Sequence, residues 1–138
     1  MQRPIITSPA RLSKASAPAT EQDLGLARDL KDTLEAYASS CVGMAANMVG
    51  ETRRVIVFTD NLTGRIATML NPEIVEKSEP YGTEEGCLCL NGMRKATRFR
   101  IIRVRYTDLR MREHTARFQD FTAQIIQHEI DHCDGILI

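Results

Sequence analysis

A chain of 138 residues with 18 Lys plus Arg against 18 Asp plus Glu has no net charge to draw it to nucleic acid or an anionic membrane as its main task. Hydrophobic residues make up 43% and charged residues 26%, enough apolar matter for one core and too much for disorder, so one domain over 1–138 is expected. No stretch approaches the ~18 consecutive apolar residues of a membrane span, and the start lacks the apolar centre of a secretory signal, which predicts a cytoplasmic protein.

The first 20 residues, rich in Pro, Ser and Ala, are expected to wrap the domain as extended chain and turns. Thr20 with Asp23 can cap a helix from about Glu21 that buries Ala27, Leu30, Leu34, Tyr37 and Ala38 and fades near Ser39 and Ser40. "RRVIVFTD" reads as a strand, and "GRIATMLNPEIVEKS" as two short strands split at Asn71-Pro72. "RKATRFRIIRVRY" is locally basic, but its charges alternate with apolar residues, as on a solvated sheet face. "FRIIRVRYTD" and "REHTARFQD" then form a hairpin around Asp108 to Arg110. Asp120 can cap a last helix from about Phe121, with Gly135 at its end. The sum is an α+β domain, mainly antiparallel strands packed around a C-terminal helix.

On that helix Phe121, Ile125, His128 and His132 share one inward face. Two histidines one turn apart can converge on a single cation, and Glu129 follows the first of them. This is the H-E-x-x-H pattern of metal-dependent hydrolases. The ion lowers the pKa of a water towards ~7, and the glutamate takes the proton and returns it. Asp131 lies off that face and can cap or pair with a neighbour, with no catalytic role assigned.

Such a site needs a third protein ligand. Cys133 is one step around the helix and should point elsewhere, while His114 lies in a polar strand. "TEEGCLCLNG" offers a better donor, because Gly86 permits a tight backbone and Cys87 supplies a thiolate suited to zinc or ferrous iron. In a cytoplasmic chain Cys41, Cys87, Cys89 and Cys133 read as thiols or ligands. Cys87 and Cys89 are too close in sequence to bridge easily.

"CVGMAANM" (41–48), "EGCLC" (85–89) and "QHEIDH" (127–132) together resemble the three ordered motifs of the peptide deformylases, G-x-G-x-A-A-x-Q, E-G-C-L-S and Q-H-E-x-D-H. The resemblance implies removal of the formyl group from the initiator methionine of new proteins, with an N-formylmethionyl peptide as substrate and the ribosome as a possible neighbour. It implies that Cys87, His128 and His132 hold ferrous iron, with zinc or nickel as substitutes. Glu129 would be the general acid/base, and the backbone N–H of Leu88 would donate to the developing oxyanion. Val42, Gly43, Met48, Gly86, Arg94 and Ile125 are the expected substrate-binding residues.

Three departures stand out. Met48 replaces the glutamine that bonds the substrate carbonyl, and a thioether has no proton to donate. Asn47 carries an amide, but on an extended segment it would face away. Cys41 replaces a glycine beside the groove, and Cys89 replaces a serine, placing a second thiol near the metal. Val42, Met44, Phe121 and Ile125 either line a methionine pocket or are plain core. Gln124 stands where an apolar pocket residue is expected. The Met48 replacement leaves open a deformylase-like module that binds a peptide or metal, or acts on another amide. An unrelated zinc endopeptidase fits the cysteine ligand and small size poorly.

Overall fold

Strand β2 (Val55–Thr59) is apolar on both sides because both of its faces are covered. Val55 and Val57 join one buried cluster, and Ile56 and Phe58 the other. Alternate side chains of a strand point to opposite faces, so a doubly covered strand reads as one apolar run. Burying a side chain as large as Phe58 contributes on the order of 2–3 kcal/mol.

The computed structural model spans Met1–Ile138. One five-stranded sheet runs in the order β1 (Gly43–Ala45), β2, β3 (Ile66–Cys87), β4 (Leu90–Thr107), β5 (Glu113–Gln119), every neighbour antiparallel. Helices α1 (Pro9–Leu12) and α2 (Leu24–Ala36) cover one face, where Leu12, Leu30 and Leu34 meet Val55, Val57 and Leu70. Helix α3 (Asp120–Cys133) covers the other, packing Ala123, Ile126 and Ile130 on Ile56, Phe58, Ile102 and Val104.

Several expectations are corrected in detail. Thr20 and Asp23 do form a reciprocal cap, but the turn Glu21–Asp23 winds as 3-10 and α2 begins at Leu24. Tyr37 caps the helix end and still packs against the cluster beneath it, whereas Ala38 is exposed. The two short strands around Asn71-Pro72 are one strand, β3, with a register shift between Leu70 and Glu73. Asn71 absorbs that irregularity at φ 53°, a conformation asparagine tolerates, while its amide brackets Ala19 through bonds of 2.7 and 3.0 Å. Pro72 sits in the irregularity, where its missing N–H costs no ladder bond.

Asp120 does not cap α3. It is the first helical residue, at φ 58°, and its carboxylate pairs with Arg100 instead, at 3.4 Å. The other end matches expectation. Gly135 takes φ 74°, its N–H bonds to His132 O and the N–H of Ile136 to Asp131 O, a Schellman closure. A Cβ at Gly135 would lie 2.5 Å from Ser13 O, so the turn also needs the space.

The basic stretch lies on β4, where Arg103 and Arg105 pair with Glu76 and Glu73 on the solvated face. Arg98 is the exception. It is 5% exposed, on the same side of β4 as Ile102 and Val104.

Candidate metal centre

Helical spacing sets His128 and His132 on one side of α3 with ring centroids 5.0 Å apart. Residue 87 ends β3, immediately before the Leu88-Cys89 turn into β4, and that hairpin end carries its sulfur to the helix. Cys87 Sγ lies 3.2 Å from His132 Nε2, and one donor atom each of Cys87, His128 and His132 fall within 4.8 Å of one another. The other candidates are elsewhere. His114 is exposed on β5, 2.6 Å from Asp108 and stacked on Tyr106, and Cys133 is packed into the cluster under α3. A thiol and two imidazoles, converging beside a carboxylate oxygen of Glu129 that is buried with no hydrogen-bond partner, suit a divalent ion of borderline softness.

Behind these donors lies a buried polar layer. His128 Nδ1 is 2.8 Å from Glu85 Oε1, which leaves Nε2 for the metal side. Arg98 donates twice to Glu85, at 3.0 and 2.7 Å, and once to Asp131 at 2.7 Å. Gln124 donates to Glu85 Oε2 at 3.0 Å and accepts from the Tyr81 hydroxyl at 3.2 Å. Sequence reasoning missed Glu85, Arg98 and this use of Gln124. One signal existed, since Glu85 adjoins Gly86-Cys87; the parity that Arg98 shares with Ile102 and Val104 is shared by Arg100, which pairs with Glu79 on the surface.

Burial works against charge on Glu85, but the bonds from His128 and Arg98 outweigh it and hold its pKa down at about 2. Burial likewise opposes charge on His128, yet the Cys87 thiol and the Glu85 carboxylate push its pKa up to about 10. Contact with Cys89 and burial push Cys87 up to about 11. A metal needs a neutral imidazole and a thiolate, so it must displace both protons. Loading at pH 7 should therefore release about two protons, and affinity should weaken as pH falls. Calorimetry in buffers of different ionisation enthalpy measures that release, and none at pH 7 would count against this donor set.

In front of the donors opens a cavity of about 250 Å³, walled by Ser40–Gly43, by Glu84–Leu88 and by α3 from Phe121 to Glu129. Val42, Gly43, Gly86, Leu88 and Ile125 all line it, as does Phe121, which is half exposed rather than turned inward. Gly43 is required by space alone. A Cβ there would stand 2.7 Å from Ile125 Cγ2 and 2.8 Å from Glu129 Oε2. Burial raises the Glu129 pKa to about 7, against the pull of the neighbouring His128 charge.

Met48, Met44 and Arg94 are not in that wall. Met44 and Met48 are wholly buried in the cluster under α2, and Arg94 on β4 donates to Asn91 O at 3.2 Å. The segment expected to be extended is a 3-10 turn, Ala46–Val49, closed by Gly50 at φ 90°. Met48 Sδ takes the Ala45 N–H at 3.5 Å. Asn47 is unavailable to a substrate, because its amide donates to His132 O at 2.9 Å and to Leu12 O at 3.3 Å.

Cys41 lines the cavity without a left-handed φ, its thiol donating to Gly43 O at 3.0 Å and raised to about 11 chiefly by burial. Cys89 is 1% exposed, yet its sulfur lies 3.1 Å from that of Cys87. Closeness in sequence therefore does not keep these two thiols apart: the turn holds both sulfurs on one side.

The family model described as polypeptide deformylase matches residues 1–138. The chain is 46% identical over 138 residues to a peptide deformylase from Clostridium beijerinckii, covering 100% of both, and 38% identical to peptide deformylase 3 from Shewanella oneidensis, covering 95% of this chain and 83% of that protein. Among solved structures it resembles a class I type b peptide deformylase from Acinetobacter baumannii, with a TM-score of 0.88 at 31% identity over 99% and 97% of the two chains. The same enzyme with Met-Ala-Ser bound superposes with a TM-score of 0.85 at 31% identity, covering 99% and 97%.

Proposed function

Because the chain belongs to the polypeptide deformylase family, we propose that Cys87, His128 and His132 hold its metal and that Glu129 moves the proton in deformylation. It is a metal-dependent hydrolase that removes the N-formyl group from the initiator methionine of peptides, giving formate and a free amine. The observation that carries the residue assignment is the convergence of one sulfur and two imidazoles beside the buried carboxylate of Glu129.

Cys87, His128 and His132 would hold the ion, ferrous iron in our reading with zinc or nickel as substitutes, and it would supply Lewis acidity there. Glu129 takes a proton from the attacking water and delivers it to the departing amine nitrogen, a task suited to a pKa of about 7. Glu85 holds the His128 ring through Nδ1 and so keeps Nε2 turned to the donor cluster. The backbone N–H of Leu88, in the cavity wall, donates to the oxygen as charge develops on it. Val42, Phe121 and Ile125 offer apolar surface to the methionine side chain, and Gly43 and Gly86 let the peptide backbone approach. No helix is long and apolar enough to cross a membrane. We place the enzyme in the cytoplasm, taking formylated chains as they leave the ribosome.

Met48 lies behind the cavity, in the buried cluster against which Cys87 and Leu88 pack, and its thioether brings no proton to the oxyanion. The missing side-chain donor leaves the oxyanion with fewer partners, a loss that typically costs ~10²–10³ in turnover. Met48→Gln should therefore speed formate release from a formyl-Met peptide by about tenfold to a hundredfold. It should also lower stability by about 1–3 kcal/mol, because an amide replaces a thioether in the core. The assay uses anaerobic, iron-loaded protein with metal content measured. A wild type silent at full occupancy, and a Met48→Gln variant equally silent, would remove the assignment for this substrate.

A further inference from the structure

We propose that Cys87 and Cys89 form a peroxide-reactive dithiol whose disulfide expels the metal and protects the ligand sulfur from irreversible oxidation. Their sulfurs are 3.1 Å apart, the only sulfur pair in hydrogen-bond contact among the four cysteines, and a disulfide needs only about 1 Å of further approach. The two positions differ in access. Cys87 is half-buried and lines the cavity, so a small peroxide reaches it, whereas Cys89 is 1% exposed and sits against Cys87. One thiol is thus open to oxidant and the other poised to resolve the product, the arrangement of a reversible redox pair.

The chemistry balances with hydrogen peroxide as the oxidant. The Cys87 thiol gives up its proton as its sulfur attacks one peroxide oxygen; an S–O bond forms, the O–O bond breaks, and the leaving hydroxide takes that proton to become water. The Cys89 sulfur then attacks Cys87; an S–S bond forms, the S–O bond breaks, and hydroxide leaves with the Cys89 proton as a second water. Two thiols lose two electrons and one peroxide becomes two waters. A ring closed across the single residue Leu88 is strained, and strained disulfides are readily reduced by cellular dithiols. In the bridged state Cys87 has no thiolate to offer, so two imidazoles remain and the ion leaves.

The metal-release half rests on Cys87 being a ligand; the thiol chemistry does not. Zinc-loaded protein, chosen because zinc has no redox chemistry of its own, is treated with hydrogen peroxide. Alkylated intact mass, peptide mapping and released zinc are then read together. The expected result is loss of two of the four alkylatable thiols, a Cys87–Cys89 bond, about one zinc released per bond, and full recovery with dithiothreitol and zinc. Cys89→Ser and Cys89→Ala should instead gain oxygen on Cys87 and fail to recover. A wild type that also accumulates oxygen on Cys87, or that bridges to another cysteine, overturns the proposal and leaves the metal site standing. A Cys87–Cys89 bond with zinc retained overturns both.

Discussion

Glu129→Ala should keep its metal and lose formate release by about 10²–10⁴-fold, the usual worth of a positioned general acid–base. The carboxylate is 3% exposed, with Oε1 lacking any partner, and it stands against Gly43 so closely that any side chain there would strike it. Nothing in the structure gives that oxygen a role in holding the fold. The substitution should therefore cost the protein little beyond the small cavity it leaves. The partner variant Glu129→Gln keeps the shape and removes only the basicity, so its loss should be of the same order. Metal content by atomic absorption and formate release by coupled assay separate chemistry from binding. With burial raising the group to about 7, wild-type kcat/KM should also fall as pH drops below that value, because the protonated acid cannot take a proton. A loss below about tenfold at full occupancy would mean that the proton moves elsewhere.

Arg98→Ala should destabilise the fold by about 3–5 kcal/mol, the cost of leaving a buried carboxylate without its partner. Glu85 and Arg98 are 7% and 5% exposed and share two hydrogen bonds, with Asp131 on the other side of the guanidinium. A domain of this size has about 5–15 kcal/mol in total, so urea unfolding should show a large shift of midpoint. The sign with pH follows from the depressed carboxylate. The pair's contribution is fully present above the ordinary pKa of 4.5 and is lost as pH falls towards about 2. Wild type and variant should then converge in strong acid. Because Glu85 also holds His128, metal affinity should fall by about 10–100-fold. Arg105→Ala, which removes exposed pairs with Glu73 and Glu113, should cost about 1 kcal/mol or less. Equal effects of the two substitutions would contradict the burial argument.

Short-range chemistry was legible in the chain itself. Two histidines four apart must share a face if the segment is a helix, Glu129 must adjoin them, and a glycine at 135 must end it; none of these depends on anything far away. The apolar run in "RRVIVFTD" likewise read as a strand, and the packing then showed both of its faces covered. The three ordered motifs at 41–48, 85–89 and 127–132 pointed to its family. What spacing could not decide was which distant donor completes the cluster, because Cys87 and His114 are both remote from His132 along the chain.

Sheet register and helix packing made that decision. The β3–β4 hairpin ends under α3 and brings a sulfur to within 3.2 Å of an imidazole 45 positions later, while β5 carries His114 away to solvent. The same long-range pairing hid Arg98 among arginines that look alike in sequence, seated Met48 in the core, and consumed the Asn47 amide on the carbonyl of His132. Local periodicity specifies which side of an element a residue occupies. Which element lies across from it is set by the burial of two apolar faces at once, a property of the folded whole.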